Sequence, residues 1–326
     1  MMPSLAEHTN SASTVAGGET SACSTTLESV LYILSPSYSG STLLTFLLAQ
    51  HPDIATIGEL KAATVGSIPD YRCSCGALLR HCLFWKEVGE AICRRGCEFS
   101  LENLGTHIRN GGRAFKRLVN AGVRGGAFPL LGQSATRFVP AYRKKLARIV
   151  QQNVRLMEVI TAIQRARIFL DGSKDPERLD IFRRYIHRPV KIIRLIRDGR
   201  GVASSYIKHN RVDMRTAAKE LVRTNRACDK VLSRIAPSDK VTIHYEDLCR
   251  DPEKHLLPIY RLAGLDPGAV TQPCLVSDCH ILGNTMRLEP GKSIVVDEQW
   301  RNGFRPADAK QFERIAGEQN RKYGYA

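Results

Sequence analysis

Apolar residues form short runs along the chain, and polar residues collect directly after several of them. Residues 30 to 34 read Val-Leu-Tyr-Ile-Leu, and residues 190 to 196 are mostly isoleucine, valine and leucine. Runs of this length predict buried strands that helices cover. Residues 54 to 57 and 166 to 171 predict two further short strands. Because helical stretches follow these runs, the sequence predicts an α/β fold with a central parallel sheet.

A polar loop follows the first of these strands. Residues 35 to 44 read S-P-S-Y-S-G-S-T-L-L and open an apolar helix. The first amides of a helix lack partners within it, and the helix dipole adds partial positive charge, so this turn suits phosphate. Against the pattern G-x-x-x-x-G-K-[ST], the loop keeps Gly40 and Thr42 but has Ser35 for the first glycine and Ser41 for the lysine. A kinase or ATPase would therefore lack its central cation.

The loop and a second strand end together resemble the sulfotransferases that use 3′-phosphoadenosine 5′-phosphosulfate (PAPS). S-G-S-T-L-L is similar to their 5′-phosphosulfate loop. Arg197 and Ser205 stand eight residues apart, like the arginine and serine that hold the 3′-phosphate in that family. A guanidinium forms two charge-assisted bonds with phosphate, and a hydroxyl can supply a third. The resemblance implies a three-layer, P-loop NTPase-like α/β fold, with PAPS bound by Tyr38, Ser39, Gly40, Ser41, Thr42 and Leu43.

Two residues at other strand ends resemble the catalytic residues of the family. Lys174, in G-S-K-D-P, is similar to the lysine of N-K-D-P in tyrosylprotein sulfotransferases and of S-K-x-P in bacterial members, where it faces the sulfuryl group. Glu59, in a G-E pair, is implied to be the general base for the acceptor hydroxyl. Partial burial that raises the pKa of this carboxyl would suit the role. His51 is the next candidate base, although its H-P turn favours a structural role.

The last third of the chain adds a weaker similarity. Residues 280 to 287, which read H-I-L-G-N-T-M-R, and Trp300 after them resemble a segment of bacterial members with the pattern H…G-N-x-M-R…W. The resemblance implies that Gly283 and Asn284 close over the nucleotide and that Arg287 adds a phosphate contact. A loop packed for structural reasons remains the alternative.

Basic residues are concentrated in one segment. The 326-residue chain has a net charge of +16, and residues 101 to 150 hold ten lysines and arginines against one acid, Glu102. Sulfotransferases vary here and build their acceptor pocket, so we interpret residues 100 to 150 as a helical, basic insert that attracts an anionic donor or acceptor. Nucleic-acid binding is disfavoured because only 7% of residues are aromatic and no recognition-helix motif occurs. A solvated basic face remains open.

The ends and the localisation of the chain are also expectations from composition. Residues 1 to 27 are rich in Ser, Thr, Gly and Ala and predict a disordered tail before one domain at residues 28 to 326. We find neither a secretory signal pattern nor an apolar stretch of the roughly 18 to 20 residues that span a bilayer. We therefore expect a soluble, cytoplasmic enzyme of undetermined oligomeric state.

The ten cysteines include a group between residues 73 and 97. C-x-C-G at Cys73 and Cys75 and C-x-F-W at Cys82 occur in the resembling bacterial enzymes. A four-cysteine zinc site uses C-x2-4-C pairs, which C-x-C fits poorly. We therefore expect buried, reduced thiols, with a structural zinc ion or a disulfide as alternatives.

The hypothesis from sequence is a PAPS-dependent sulfotransferase that needs no metal. Its acceptor would be a hydroxyl or amine of a small molecule, carbohydrate or peptide. Tyr38 departs from the family, whose members usually carry arginine or lysine directly before S-G-[ST]-T. This departure and the basic segment leave a non-catalytic nucleotide- or polyanion-binding protein as the alternative. A P-loop kinase is less favoured because G-K-[ST] is absent.

Overall fold

Five parallel strands form one sheet at the centre of the chain. The computed structural model describes residues 27–61, 65–108, 140–270, 279–288 and 294–326. The strand order is β2-β3-β1-β4-β5, and every neighbouring pair is parallel. This confirms the predicted α/β class and its central parallel sheet. The strands are β1 (Ser29–Leu34), β2 (Ile54–Thr56), β3 (Ile168–Lys174), β4 (Val190–Ile196) and β5 (Lys240–His244).

Helices connect the strands and continue beyond the last one. None of the helices among the described residues is long and apolar enough to cross a membrane. A π-helical turn, Glu313–Gly317, precedes the last helix. The α-helices are α1 (Ser41–Leu48), α2 (Leu83–Arg94), α3 (Pro140–Ile163), α4 (Pro176–Tyr185), α5 (Gly199–Asn210), α6 (Met214–Leu232), α7 (Tyr245–Arg250), α8 (Pro252–Ala263), α9 (Trp300–Gly303), α10 (Pro306–Phe312) and α11 (Glu318–Lys322).

The alternation of side chains in β1 produces the three layers. Leu31 and Ile33 point into an apolar cluster with α1, α7 and α8 on one face of the sheet. Tyr32 and Leu34 point to the opposite face, where they pack with residues of α4 and α6. Because successive strand residues face opposite sides, one apolar run anchors helices on both faces. All of β1 after Ser29 is buried.

Strand β3 extends further than its apolar run predicted. We expected a loop from residue 172, but the strand continues to Lys174. Its register with β1 shifts, since Tyr32 lies opposite Asp171 and Leu34 lies opposite Lys174. The irregularity takes up one residue and lets Gly172 donate its amide to the carbonyl of Gly58 at 2.8 Å. Lys174 therefore leaves the sheet at a fixed position.

A buried polar network holds β3 against its neighbours. The guanidinium of Arg178 donates to Asp171 Oδ2 at 3.0 Å, to the Thr106 carbonyl at 2.8 Å and to Asn153 Oδ1 at 2.6 Å. All four residues are buried. A buried ion pair needs such additional bonds to offset the loss of hydration. The network ties β3, α3 and α4 together next to Lys174.

Two of the expected segments are only partly covered by the described residues. The expected tail lies outside them, except for Leu27, and so do residues 109–139 of the basic insert. Helix α3 contains the end of the insert, where Arg143, Lys144 and Arg148 are exposed. The buried side of the same helix includes Tyr142 and Leu146. The charges described here therefore lie on the outer face of an amphipathic helix.

Candidate functional site

The loop between β1 and α1 has the backbone geometry of an anion cradle. Gly40 stands directly before α1 with φ 86°, and no side chain caps the first turn. A Cβ at this position would lie 2.3 Å from the Tyr245 ring, so only glycine fits. The amides of the first turn, including those of Ser41, Thr42 and Leu43, belong to the group that a helix leaves without internal partners.

Two hydroxyl groups in this loop have no hydrogen-bond partner among the described residues. Ser35 and Ser39 are both buried, and neither Oγ atom is bonded. A buried hydroxyl without a partner is costly, and most native proteins avoid it. An oxyanion ligand in the loop would satisfy both groups. The residues present therefore fit a bound phosphate or sulfate ester.

Tyr38 is fixed on helix α5 by its side chain. Its φ of 65° is unusual for a residue other than glycine. The ring stacks on His209 with centroids 5.3 Å apart and meets the Tyr206 ring edge-on at 4.9 Å. The hydroxyl donates to Asn210 Oδ1 at 2.8 Å. Tyr38 thus supplies no cation, but it joins the loop to α5.

Arg197 lies directly after β4 and contacts the same loop. Its guanidinium donates to the Tyr38 carbonyl at 2.8 Å and covers the Tyr245 ring at 4.7 Å. It also donates to the Asp297 carboxylate at 2.9 Å and to the Asp297 carbonyl at 3.1 Å. Ser205 is half-buried on α5. The exposed Asp297 carboxylate therefore occupies part of the guanidinium that a phosphate at Arg197 would use.

The turn after β4 is held by its own Asp198 and by side chains from two later helices. Asp198 accepts the amide of Arg200 at 2.9 Å, which caps α5. Its own amide donates to Glu246 Oε1 at 3.0 Å, and the Gly199 amide donates to Asn320 Oδ1 at 2.7 Å. Helices α7 and α11 thus fix the backbone that carries Arg197.

Glu59 and Lys174 form an ion pair at the carboxyl ends of their strands. Lys174 Nζ lies 2.5 Å from Glu59 Oε1, and Lys61 Nζ lies 3.8 Å from Glu59 Oε2. Lys174 is buried, and its backbone has φ 65°. The structure thus joins the two residues that the sequence predicted as catalytic. It adds Lys61, which lies two residues after Glu59 and which no motif in the sequence had indicated.

The pKa of Glu59 is lowered, whereas a raised pKa would suit a general base. Burial raises the pKa of this carboxyl, but the charges of Lys174 and Lys61 outweigh burial and hold the pKa below its usual value. Burial also lowers the pKa of Lys61, although Glu59 opposes this shift. In the structure, the Glu59 carboxylate is therefore ionised and accepts a charge-assisted hydrogen bond from Lys174.

The segment at residues 279 to 288 packs against Glu59. The Leu282 amide donates to the Ile57 carbonyl at 2.7 Å, and the Glu59 amide donates to the Leu282 carbonyl at 3.4 Å. A Cβ on Gly283 would lie 3.1 Å from Glu59 Oε1, and the φ of this glycine is 124°. Gly283 therefore allows the backbone to approach the carboxylate closely.

Arg287 has structural partners in this segment. Its guanidinium donates to the Gly283 carbonyl at 2.7 Å and to the Arg72 carbonyl at 3.0 Å, and it covers the Tyr71 ring at 4.1 Å. The side chain is buried, so it shapes the Gly283 turn. No phosphate contact of Arg287 is needed to explain its position. Asn284 is exposed, and the closure of Gly283 and Asn284 over a nucleotide stays a prediction.

A cavity of about 680 Å³ opens beside the loop and the ion pair. Ser35, Ser37, Lys61 and Lys174 line one part of it. Helix α6 contributes basic side chains to the remainder, so positive residues outnumber acids in the lining. An anionic ligand matches this surface. The basic residues from α6 are Lys219, Arg223, Arg226 and Lys230.

His51 has the structural role that its turn suggested. The residue is buried, its Nε2 lies 3.1 Å from the Asp266 carbonyl, and its Nδ1 accepts the amide of Asp53 at 3.1 Å. Both ring nitrogens are therefore used within the protein.

Asp297 is a residue of the site that no sequence motif indicated. Its partner, Arg197, lies one hundred residues earlier in the chain.

Comparison with known proteins confirms the resemblance drawn from the motifs. Residues 164–267 match a family model described as the sulfotransferase family, and this segment includes Lys174, Arg197 and Ser205. No curated protein matches the chain. The chain is similar to the solved sulfotransferase domain from the curacin biosynthetic pathway, with a TM-score of 0.50 and 18% identity over 92% of this chain and 99% of that one. This likeness supports the fold.

Two further solved structures match with lower TM-scores. The sulfotransferase domain from the Synechococcus PCC 7002 olefin synthase has a TM-score of 0.47 and 22% identity over 92% of this chain and 96% of that one. Mouse sulfotransferase SULT7A1, complexed with PAP, has a TM-score of 0.44 and 12% identity over 89% of this chain and 84% of that one. The fold is that of the sulfotransferases, and the matched family segment carries three of the predicted site residues.

Proposed function

We propose that this protein transfers a sulfuryl group from PAPS to a hydroxyl or amine of an acceptor. The observation that carries the proposal is the Glu59–Lys174 ion pair beside a loop with two unpartnered buried hydroxyls. This pair would provide a base and a cation next to a loop that suits an oxyanion. The family match at residues 164–267 supports sulfuryl transfer as the chemistry.

The loop and the end of β4 would hold the donor. Amides of residues 39 to 43 and the hydroxyls of Ser35 and Ser39 would bind the 5′-phosphosulfate. Arg197 would bind the 3′-phosphate with Ser205, after this phosphate takes the place of the Asp297 carboxylate. An exposed carboxylate can move aside, whereas the buried guanidinium is held by Tyr38 and Tyr245.

Glu59 and Lys174 would share the proton and charge movements of the transfer. Glu59 takes the proton of the acceptor group as the acceptor oxygen or nitrogen forms its bond to sulfur. The bond from sulfur to the bridging oxygen breaks in line, and PAP leaves with that electron pair. Lys174 stabilises the negative charge that develops on this bridging oxygen. As its ammonium group turns to that oxygen, it no longer pairs with Glu59, and the Glu59 carboxylate becomes a stronger base.

The proposal is tested by calorimetry with PAP and AMP, followed by mass spectrometry of an extract incubated with PAPS. We expect PAP to bind far more tightly than AMP, and Arg197→Ala to weaken PAP binding by roughly tenfold or more, because a charge-assisted contact is lost. Arg215→Ala, which removes an exposed arginine, is the control. Equal affinities for PAP and AMP would contradict the donor assignment.

Products heavier by one sulfuryl group are the expected result of the extract experiment. Glu59→Gln should bind PAP normally and reduce turnover by about 100-fold or more, since a general base acts in the transition state.

The alternative function is nucleotide binding without transfer, which Tyr38 favours because it brings no cation to the loop. Selective PAP binding without any sulfated product would support that alternative.

A further inference from the structure

Three cysteines and one histidine from distant parts of the chain meet beside the Glu59 segment. The ligand atoms of Cys73, Cys75, Cys82 and His280 all lie within 4.8 Å of one another. His280 Nδ1 lies 3.6 Å from Cys73 Sγ and 3.4 Å from Cys82 Sγ. The sulfurs of Cys75 and Cys82 are 3.7 Å apart.

Three of the six separations between the ligand atoms have the lengths expected for edges of a zinc tetrahedron. Zinc lies about 2.3 Å from cysteine sulfur and about 2.0 Å from histidine nitrogen. With tetrahedral angles, two sulfurs are then about 3.8 Å apart, and a sulfur and a nitrogen about 3.5 Å apart. The three measured distances match these values to about 0.1 Å. We propose that Cys73, Cys75, Cys82 and His280 bind one structural Zn²⁺ ion.

The backbone around the four residues is organised for such a site. Cys73 and Gly76 form a tight turn, in which the Gly76 amide donates to the Cys73 carbonyl at 2.9 Å and Gly76 has φ 86°. This turn places the sulfurs of a C-x-C pair on one side. The rings of His280 and Phe84 are stacked with centroids 4.4 Å apart and nearly parallel, which fixes the orientation of the imidazole.

Ser74 joins the two chain segments that carry the ligands. Its hydroxyl donates to the Cys279 carbonyl and accepts the Ile281 amide at 2.7 Å. His280 is therefore held between two residues that are bonded to the C-x-C turn. Four ligands in a closed set are typical of a structural zinc ion, because a catalytic one keeps a position open.

The metal would anchor the segment that contacts Glu59. His280 lies three residues before Gly283, which packs against the Glu59 carboxylate. The segment between them pairs with the backbone on either side of Gly58. Binding of Zn²⁺ by the three thiols releases their protons to solvent and fixes this segment to α2 and the preceding loop. The inference does not depend on the proposed sulfuryl transfer.

Native mass spectrometry and metal analysis of the reduced full-length protein test the inference. We expect one Zn²⁺ per chain, and loss of this zinc in Cys82→Ser. Cys93→Ser and Cys97→Ser remove thiols outside the group and should keep the full zinc content. In the wild-type protein, replacement by Co²⁺ should give the visible bands of tetrahedral cobalt with a thiolate charge-transfer band. This measurement does not require a folded variant.

The position of the metal can be tested separately from its presence. Removal of zinc by a chelator should accelerate hydrogen exchange at residues 71 to 82 and 279 to 288, while β4 and α5 exchange as before. Folded, reduced protein that contains no zinc and takes up no Co²⁺ would overturn the inference. Full zinc content in Cys82→Ser would overturn it as well.

Discussion

The general-base role proposed for Glu59 and its ion pair with Lys174 favour opposite shifts of its pKa. A general base should accept a proton readily, and burial alone would raise the pKa of this carboxyl. Lys174 and Lys61 lower it instead, so the carboxylate of the free protein is ionised and paired. The conflict disappears if Lys174 moves its charge towards the leaving oxygen as the sulfuryl group departs.

This coupling predicts the pH dependence of the reaction. A carboxyl with a lowered pKa stays ionised as the pH falls, so the acidic limb of kcat/KM in the wild type should lie below the ordinary glutamate range. In Lys174→Met the largest opposing cation is gone, and burial should shift this limb to higher pH while turnover falls. Lys61→Met should give a smaller shift. Coincident limbs in all three proteins would remove Glu59 as the titrating base.

Asp297 predicts an unusual gain of affinity. Its carboxylate accepts a hydrogen bond from Arg197 at 2.9 Å, so a nucleotide phosphate that binds Arg197 competes with this contact. Asp297→Asn weakens the competitor, and we expect PAP to bind roughly tenfold more tightly, as for the loss of one charge-assisted bond. Glu298→Gln alters a neighbouring exposed acid that pairs with Arg301 and should leave the affinity unchanged. Calorimetry at constant salt measures both.

At the scale of elements, the turn from β1 to α1 depends on one glycine. Gly40 combines a positive φ with close packing against Tyr245, whereas Gly264 has φ 66° and open space around it. Gly264→Ala therefore measures the conformational cost alone, about 1 kcal/mol. Gly40→Ala should cost more in thermal unfolding and should abolish PAP binding, because the loop must shift. Equal effects of the two substitutions would contradict the cradle geometry.

Strands β1, β2 and β4 could be predicted from sequence, because burial on both faces gives each a local apolar run. The extension of β3 to Lys174 could not be predicted, since it depends on the shifted register with β1. The same division holds for the site. Lys174 ends β3, and Glu59 and Arg197 follow β2 and β4. Each of them lies in a short local motif, so the family resemblance can be read without knowledge of distant contacts.

Residues that act through distant contacts left no local signal. Asp297 is recognised only when Arg197 is beside it. His280 completes the group at Cys73 and Cys82 across about two hundred residues, and without it the C-x-C spacing argued against a metal. The cysteines alone, without His280, therefore favoured reduced thiols that bind no metal.

At the scale of the whole molecule, two of the surfaces that the described residues form are rich in positive charge. One is the lining of the cavity beside Lys174, where α6 contributes Lys219 and Lys230. The other is the outer face of α3, where Arg143 and Lys144 are exposed. A net charge of +16 attracts anions to both surfaces. Only the first surface adjoins the ion pair, so the two should have different effects on donor and acceptor.

The α3 surface gives the last prediction. Replacing Arg143, Lys144 and Lys145 together by glutamine should leave PAP affinity unchanged, because none of them lines the cavity. If the insert faces the acceptor, the same variant should change the acceptor KM or preference. Lys219→Gln with Lys230→Gln is the matched control, and it should weaken PAP binding and reduce its dependence on salt. A gel-shift series against salt should show no tight nucleic-acid binding by the wild type. Loss of sub-micromolar RNA or DNA binding in the α3 variant, with transfer untouched, would instead make this surface a nucleic-acid site.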